Sequence, residues 1–440
     1  MVLPLAIAYY AKPKFSELVC SPTRILLLAR SARSKPTYHM WCALLIPPLS
    51  PTALFVRPLI TDTRNPFLAE MTETAKQLCR PGYGILATDE SIPTAGKRLE
   101  TIGVDNTVAT RTAFRELLYT TPGLEEYISG TIMFDETLYQ RTAGGVRFVQ
   151  LLKEKNILTG LKVDTGLQPL SAHSPKETAT QGLDNLAARC DTYYAEGARF
   201  AKWRAVINVG RGPQGKSMPS EHALQENAHG LARFAAICQQ HGLMPIVEPE
   251  VALGEGDYSI SAAAAEQERF MAEVISALRQ HGVYLEAMLL KPNMALPGLD
   301  ALIPTKEEVA YYTARMLKRT VPPAVPGIHF LSGGMGAEEA TLNLQALALE
   351  YPDAPWALSF SFGRALQDGV LKAWGGDADN VAAAQQLLLD LARVNSEAVR
   401  GVWDEHHPCA PIKGESGRLD GLAKYSYSEE RKESGNIFNW

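Results

Sequence analysis

The stretch EAMLLKPNM, residues 286–294, climbs through Met288, Leu289 and Leu290 and then meets Lys291, with Pro292 directly behind it. A charged group at the end of an apolar run is costly to bury unless it is paired or used. Lys291 has company. Asp89 and Glu90 close GILATDE, Lys162 and Asp164 lie in GLKVDTG, and Lys202 and Arg204 lie in ARFAKWRAVI. Glu248 and Glu250 lie in LMPIVEPEV, Ser332, Gly333 and Gly334 end GIHFLSGG, and Ser361 and Arg364 lie in WALSFSFGR. Any one of these reads equally well as a rim ion pair. Three lysines, two arginines and several carboxylates at the ends of apolar runs read together as one site.

A lysine desolvated near other cations is favoured as the neutral amine and attacks a carbonyl to form a Schiff base. Lys202 and Lys291 compete for that part. Lys202 stands two residues from Arg204, so on a strand both face one way and look electrostatic. Lys291 is more isolated, and Pro292 stops the ladder after it. Glu248 and Glu250 share one face of a strand around Pro249. Imine formation needs an acid to expel water from the carbinolamine, and then a base, which a carboxyl near lysines can supply. The alternative is that both glutamates only neutralise Lys202 and Arg204. HFLSGGMGAEEATLNLQAL reads as a strand, a Gly-rich turn and a helix, whose free N–H groups form an anion site. Arg364 would add a charged fork to it. The alternative there is a plain tight turn. DESIPTAGKR offers Ser91, Thr94, Lys97 and Arg98 to a second phosphate, or caps a helix.

From Glu70 onward eight such runs alternate with longer amphipathic stretches, the last two being 327–334 and 356–364. That alternation predicts an α/β protein with a parallel sheet, and eight repeats predict a closed (β/α)₈ TIM barrel. An open doubly wound sheet is the alternative, but no G-x-G-x-x-G follows the first strand. In a barrel the residues at the C-terminal strand ends converge, and the anion site falls after strands seven and eight.

The chain has 440 residues, 46% hydrophobic and 21% charged, enough for a sizeable core, and a net charge of −5 that gives no basic surplus for nucleic acid. Its six cysteines form no C-x-x-C pair, and its nine histidines show no metal-ligand spacing, so neither a metal nor another cofactor is expected. Residues 1–65 form an unmatched extension whose first sixty or so residues carry many basic residues against one acid, Glu17, which suggests an organelle transit peptide. A disordered tail or a misplaced start is the alternative. The apolar patch 41–49 is too short and proline-broken to span a membrane. The barrel is expected over 66–395, with 396–440 a mobile tail.

GILATDES, GLKVDTG, FAKWR, PIVEPE, LLKPNM, FLSGG and SFSFGRALQ, in that order from about Glu70 to Asn395, resemble class I fructose-1,6-bisphosphate aldolase. The resemblance implies a metal-independent Schiff-base enzyme of glycolysis and gluconeogenesis. Such an enzyme acts on small sugar phosphates and forms a homotetramer. Lys291 would be the imine lysine, and Glu248 the acid and base of imine formation, supported by Glu250 and Lys202. Asp89 would take the C4-hydroxyl proton as the C3–C4 bond breaks. Ser332, Gly333, Gly334, Gly363 and Arg364 would hold the C1 phosphate. Ser91, Thr94 and Lys162 would hold the C6 phosphate, with Arg98 and Arg111 nearby, and Arg204 and Ser361 would line the pocket. Three departures stand out. The chain ends on Trp440 where the family has a tyrosine, which implies slower enamine protonation. Met335 replaces a common Gln. Thr165, with the basic N-terminus, leans towards plastid members, the cytoplasm being the alternative.

Overall fold

The computed structural model describes residues 65–404 apart from 172–173, 213–216, 255 and 334. The transit-peptide reading, Trp440 and Gly334 therefore fall outside the described residues. Eight parallel strands close into a barrel. We number them β1 (Gly84–Thr88), β2 (Ile128–Met133), β3 (Leu158–Lys162), β4 (Phe200–Asn208), β5 (Met244–Ala252), β6 (Leu289–Leu290), β7 (Gly327–Phe330) and β8 (Ala357–Phe362). β8 pairs with β1, with register Ile85 against Ser361, and closes the ring. Helices packed outside complete the (β/α)₈ architecture expected from the alternation. The sequence reading did not foresee two small antiparallel hairpins, Gly166–Ser171 with Ser174–Gln181 and Gly210–Arg211 with Ser217–Met218.

The strand runs were located correctly, with one instructive difference. The expected strand at 286–294 is only Leu289–Leu290, preceded by a 3₁₀ turn, Leu285–Ala287. Pro292 lacks the N–H a continuing ladder needs, so Lys291 sits just beyond the strand. The barrel end expected at 395 falls inside a helix, Val381–Val399, in which Asn395 and Ser396 are buried.

Side chains alternate along each strand, so one set points inward. Low in the barrel that set is apolar: Ile85, Ala87, Ile132, Phe200, Met244, Ile246 and Leu289 pack with Met71, Ala75 and Leu78 of the helix Leu68–Leu78. That helix seals the N-terminal end. Phe200 fills space that neighbouring glycines leave open: a Cβ on Gly160 would lie 2.1 Å from its ring. Continuing the same alternation upward brings Asp89, Lys162, Lys202, Arg204, Glu248, Glu250, Lys291 and Ser361 to the C-terminal mouth. The fold thus separates an apolar floor from a charged rim with one pattern.

His329 sits inside the barrel wall, fully buried, with its Nε2 3.2 Å from the Leu78 carbonyl oxygen. Burial pushes its pKa down to about 4, against a small opposing effect of that carbonyl. The unfolded chain, with an ordinary histidine, then takes up the proton first. Stability from the neutral ring is complete above about pH 6.5 and is lost as pH falls towards 4, by about 3 kcal/mol in all. Urea denaturation across that range should show a His329→Gln variant losing less stability on acidification than the parent. Equal acid sensitivity of the two proteins would refute the assignment.

Candidate active site

The rim residues form one buried ion chain. Lys202 Nζ lies 2.7 Å from Asp89 Oδ2 and 2.9 Å from Glu248 Oε2, and Lys291 Nζ lies 3.0 Å from Glu248 Oε1. Lys202, Glu248 and Lys291 are each no more than 4% exposed. Glu248 thus bridges the two lysines that competed for the nucleophilic part. The Lys202 contact to Glu248 Oε2 is within ion-pair distance but off the direction of a hydrogen bond, so that oxygen makes none among the described residues. A buried carboxylate oxygen without a donor is poised to accept a proton or a substrate hydrogen bond. The Ser361 hydroxyl is buried and has no hydrogen-bond partner among the described residues.

Burial would raise the Asp89 pKa, but Lys202 and then Lys291 outweigh it and hold the carboxyl well below the usual range. Burial works against the charge on Lys202 too, yet Asp89 and Glu248, with Asp164 behind them, keep its ammonium well above the usual lysine range. Lys202 is a fixed cation and a poor nucleophile. One expectation changes here. Lys291 was expected to lie near other cations, whereas its closest charged partner is the Glu248 carboxylate, 3.0 Å away.

Glu250 takes Arg204 in a two-point grip, Nε to Oε2 at 2.6 Å and Nη2 to Oε1 at 2.9 Å. The neutralising reading therefore holds for Glu250, while Glu248 serves the lysines. The same end of the pocket holds the Gly-rich turn, where the Met335 N–H donates to the Ser332 carbonyl at 2.9 Å. A Cβ on Gly333 would lie 2.7 Å from Leu331 Cδ1, 3.7 Å from Glu250 Oε1 and 4.0 Å from Arg364 Nη2. Only glycine leaves the backbone open between those groups. Arg364 opens a helix, Arg364–Trp374, rather than ending β8, and Gly363 is the residue before it.

The expected C6-phosphate group is more dispersed. Ser91 caps the helix Ile92–Glu100, and its hydroxyl lies 2.9 Å from that of Thr94, as the capping alternative foresaw. Lys162 pairs with Asp164 at 2.7 Å. Arg98 donates to Glu90 at 2.7 Å, and Arg111 grips Glu136 at 2.6 and 2.9 Å. Arg98 and Arg111 line a small side pocket with Glu90, Arg115, Phe114 and Asp368, between three helices. They do not meet at the lysine pair.

Asp164, named among the strand-end residues but given no role of its own, belongs in the site. It holds Lys162, accepts from the Arg204 N–H at 3.3 Å and supports the charge of Lys202. Its spacing two residues beyond Lys162 carried the signal, by the rule that paired Lys202 with Arg204. Glu90 was likewise named without a role. It ties Arg98, Arg115 and Gln367 together beside Asp89.

The chain matches the family model "Fructose-bisphosphate aldolase class-I" over residues 70–416. It is 53% identical over 358 residues to fructose-bisphosphate aldolase 5, cytosolic, of Arabidopsis thaliana, covering 81% of this chain and 97% of that one. It is 52% identical over 335 residues to fructose-bisphosphate aldolase 1 of Toxoplasma gondii, covering 76% and 91% of the two. A crystal structure of Plasmodium falciparum fructose-bisphosphate aldolase, in complex with TRAP and a small-molecule inhibitor, superposes with a TM-score of 0.74 at 46% identity. That match covers 77% of this chain and 96% of the other. Similar plant proteins named cytosolic or cytoplasmic favour the cytoplasmic alternative and give the plastid expectation no support.

Proposed function

The chain belongs to the class I fructose-bisphosphate aldolase family, and from that premise we propose how its residues divide the work. The substrate is fructose-1,6-bisphosphate, cleaved reversibly to dihydroxyacetone phosphate and glyceraldehyde-3-phosphate. The observation that carries the assignment is Glu248 set between Lys291 and Lys202 at 3.0 and 2.9 Å.

Glu248 takes a proton from the Lys291 ammonium, and the freed amine attacks the C2 carbonyl. Glu248 then returns a proton to the carbinolamine hydroxyl, which leaves as water, and a protonated imine remains. Asp89, kept ionised by Lys202, removes the C4-hydroxyl proton. The C3–C4 bond breaks, its electron pair passes to the imine nitrogen, and the aldehyde departs. Protonation of the enamine at C3 and hydrolysis release dihydroxyacetone phosphate. Ser332, Gly333, Gly334, Gly363 and Arg364 hold the C1 phosphate. Ser91, Thr94 and Lys162 hold the C6 phosphate, with Arg98 and Arg111 behind them. Arg204 and Ser361 line the pocket, and the hydroxyl of Ser361 supplies a free hydrogen bond. A cytoplasmic homotetramer completes the proposal.

Borohydride trapping with dihydroxyacetone phosphate in EDTA, followed by peptide mass mapping, tests it. A stable adduct on Lys291 is expected. An adduct on Lys202, or none, would overturn the assignment.

A further inference from the structure

The segment that carries Lys291 is held by a very short ladder. β5 pairs with β4 along its whole length, Met244–Ala252 against Phe200–Asn208, but with β6 only at Leu289 and Leu290. The Lys291 N–H still donates to the Val247 carbonyl at 2.8 Å. Beyond it the ladder cannot run, because Pro249 on one side and Pro292 on the other have no N–H. The Val251 N–H faces this seam in a buried position, and an unpaired amide there would be costly.

Asn293 fills the gap. Its Oδ1 accepts from the Val251 N–H at 2.9 Å, and its Nδ2 donates to the Met294 carbonyl at 3.0 Å. From behind, Gln267 of the helix Ile260–Gln280 donates Nε2 to the carbonyls of Asn293 and Met294 at 3.3 and 3.4 Å. The Leu331 N–H anchors the other side through the Pro292 carbonyl at 3.0 Å. Asn293 and Gln267 are each only 5% exposed. Gln267 also borders a small apolar cavity beside Pro249 and Pro292.

We propose that Asn293 is a positioning residue for the aldol cleavage: its side-chain amide stands in for the missing strand and fixes Lys291 against Glu248. The inference rests on Lys291 being the imine lysine. Misplacing a nucleophile by about an ångström costs on the order of 10²-fold in rate without touching the groups that bind the rest of the substrate. The residues proposed to bind the phosphates sit on other elements, so affinity and rate should separate.

The test compares the parent protein, Asn293→Ala and Gln267→Met. For each one measures the rate of borohydride trapping with dihydroxyacetone phosphate, kcat, and the inhibition constant of a hexitol bisphosphate that has no carbonyl. For Asn293→Ala, trapping and kcat should fall together by about 10- to 100-fold, with the inhibition constant changed less than about twofold. Gln267→Met, which removes only the backing bonds, should fall roughly threefold to tenfold. Should Asn293→Ala fail to fold, the Gln267→Met result decides by the same criterion. Trapping of the parent somewhere other than Lys291 would remove the reading beneath the proposal. Trapping of the parent at Lys291 with variants as fast would overturn the positioning role alone. A parallel loss of rate and of inhibitor binding would also overturn it, since that is general loosening.

Discussion

Lys291→Met is expected to lower turnover of fructose-1,6-bisphosphate by ~10⁴-fold or more, with no borohydride adduct anywhere in the chain. Methionine keeps the stem of the side chain and removes only the amine, so packing at the end of β6 is preserved. Glu248 keeps its contact with Lys202, 2.9 Å away, and is not left as a lone buried charge. The fold should survive, and inhibition by a hexitol bisphosphate should persist because the phosphate groups are untouched. Residual activity within about a hundredfold of the parent would mean that the imine is not on the main path.

Lys202→Met should produce the largest combined loss of stability and activity. Lys202 is the common counter-ion of Asp89 and Glu248, at 2.7 and 2.9 Å, and is only 3% exposed. Removing one partner of a buried ion pair typically costs about 3–5 kcal/mol, because the remaining charge is stranded. Here two carboxylates lose a partner, although Lys291 still faces Glu248. The loss is read directly from chemical denaturation. Activity should drop by ~10²-fold or more. Its pH profile should change as well. Asp89 in the parent is held well below the usual carboxylate range, with burial opposing and Lys202 the strongest cation in favour. Without Lys202 the burial effect gains ground and the pKa rises. Asp89 must be ionised to act as a base, so the acid limb of kcat/KM should move to higher pH. An unmoved acid limb would show that Asp89 is not the base.

Most of this site was legible from one rule applied to strands. Alternation of inward side chains, followed past the apolar stretch of each run, picked out Asp89, Lys202, Arg204, Glu248, Glu250 and Lys291, and the barrel brings them to one mouth. The rule weakens where the chain leaves the strand. Arg98 and Arg111 lie on helices, and which way a helical arginine reaches depends on carboxylates far away in sequence, here Glu90 and Glu136. Partner choice was equally invisible. Nothing in VEPE says that Glu248 should take two lysines and Glu250 an arginine: the register sets Arg204 beside Glu248, yet its guanidinium reaches on to Glu250 and leaves Glu248 to the lysines. The part played by Asn293 was hidden for the same reason, since an unfilled N–H on a neighbouring strand is a property of the sheet and not of the segment.

The sealed floor has a kinetic meaning. With Met71, Ala75 and Leu78 closing the N-terminal end, the barrel has one entrance, and both products must leave by it. On the proposed imine at Lys291, the half that stays tethered cannot go before its link is hydrolysed, so the untethered aldehyde must exit first. Release is therefore compulsory in order. In the cleavage direction dihydroxyacetone phosphate, which meets the empty enzyme, should inhibit competitively with the bisphosphate, and the aldehyde non-competitively. In synthesis the same corridor makes the ketose half the obligatory first arrival.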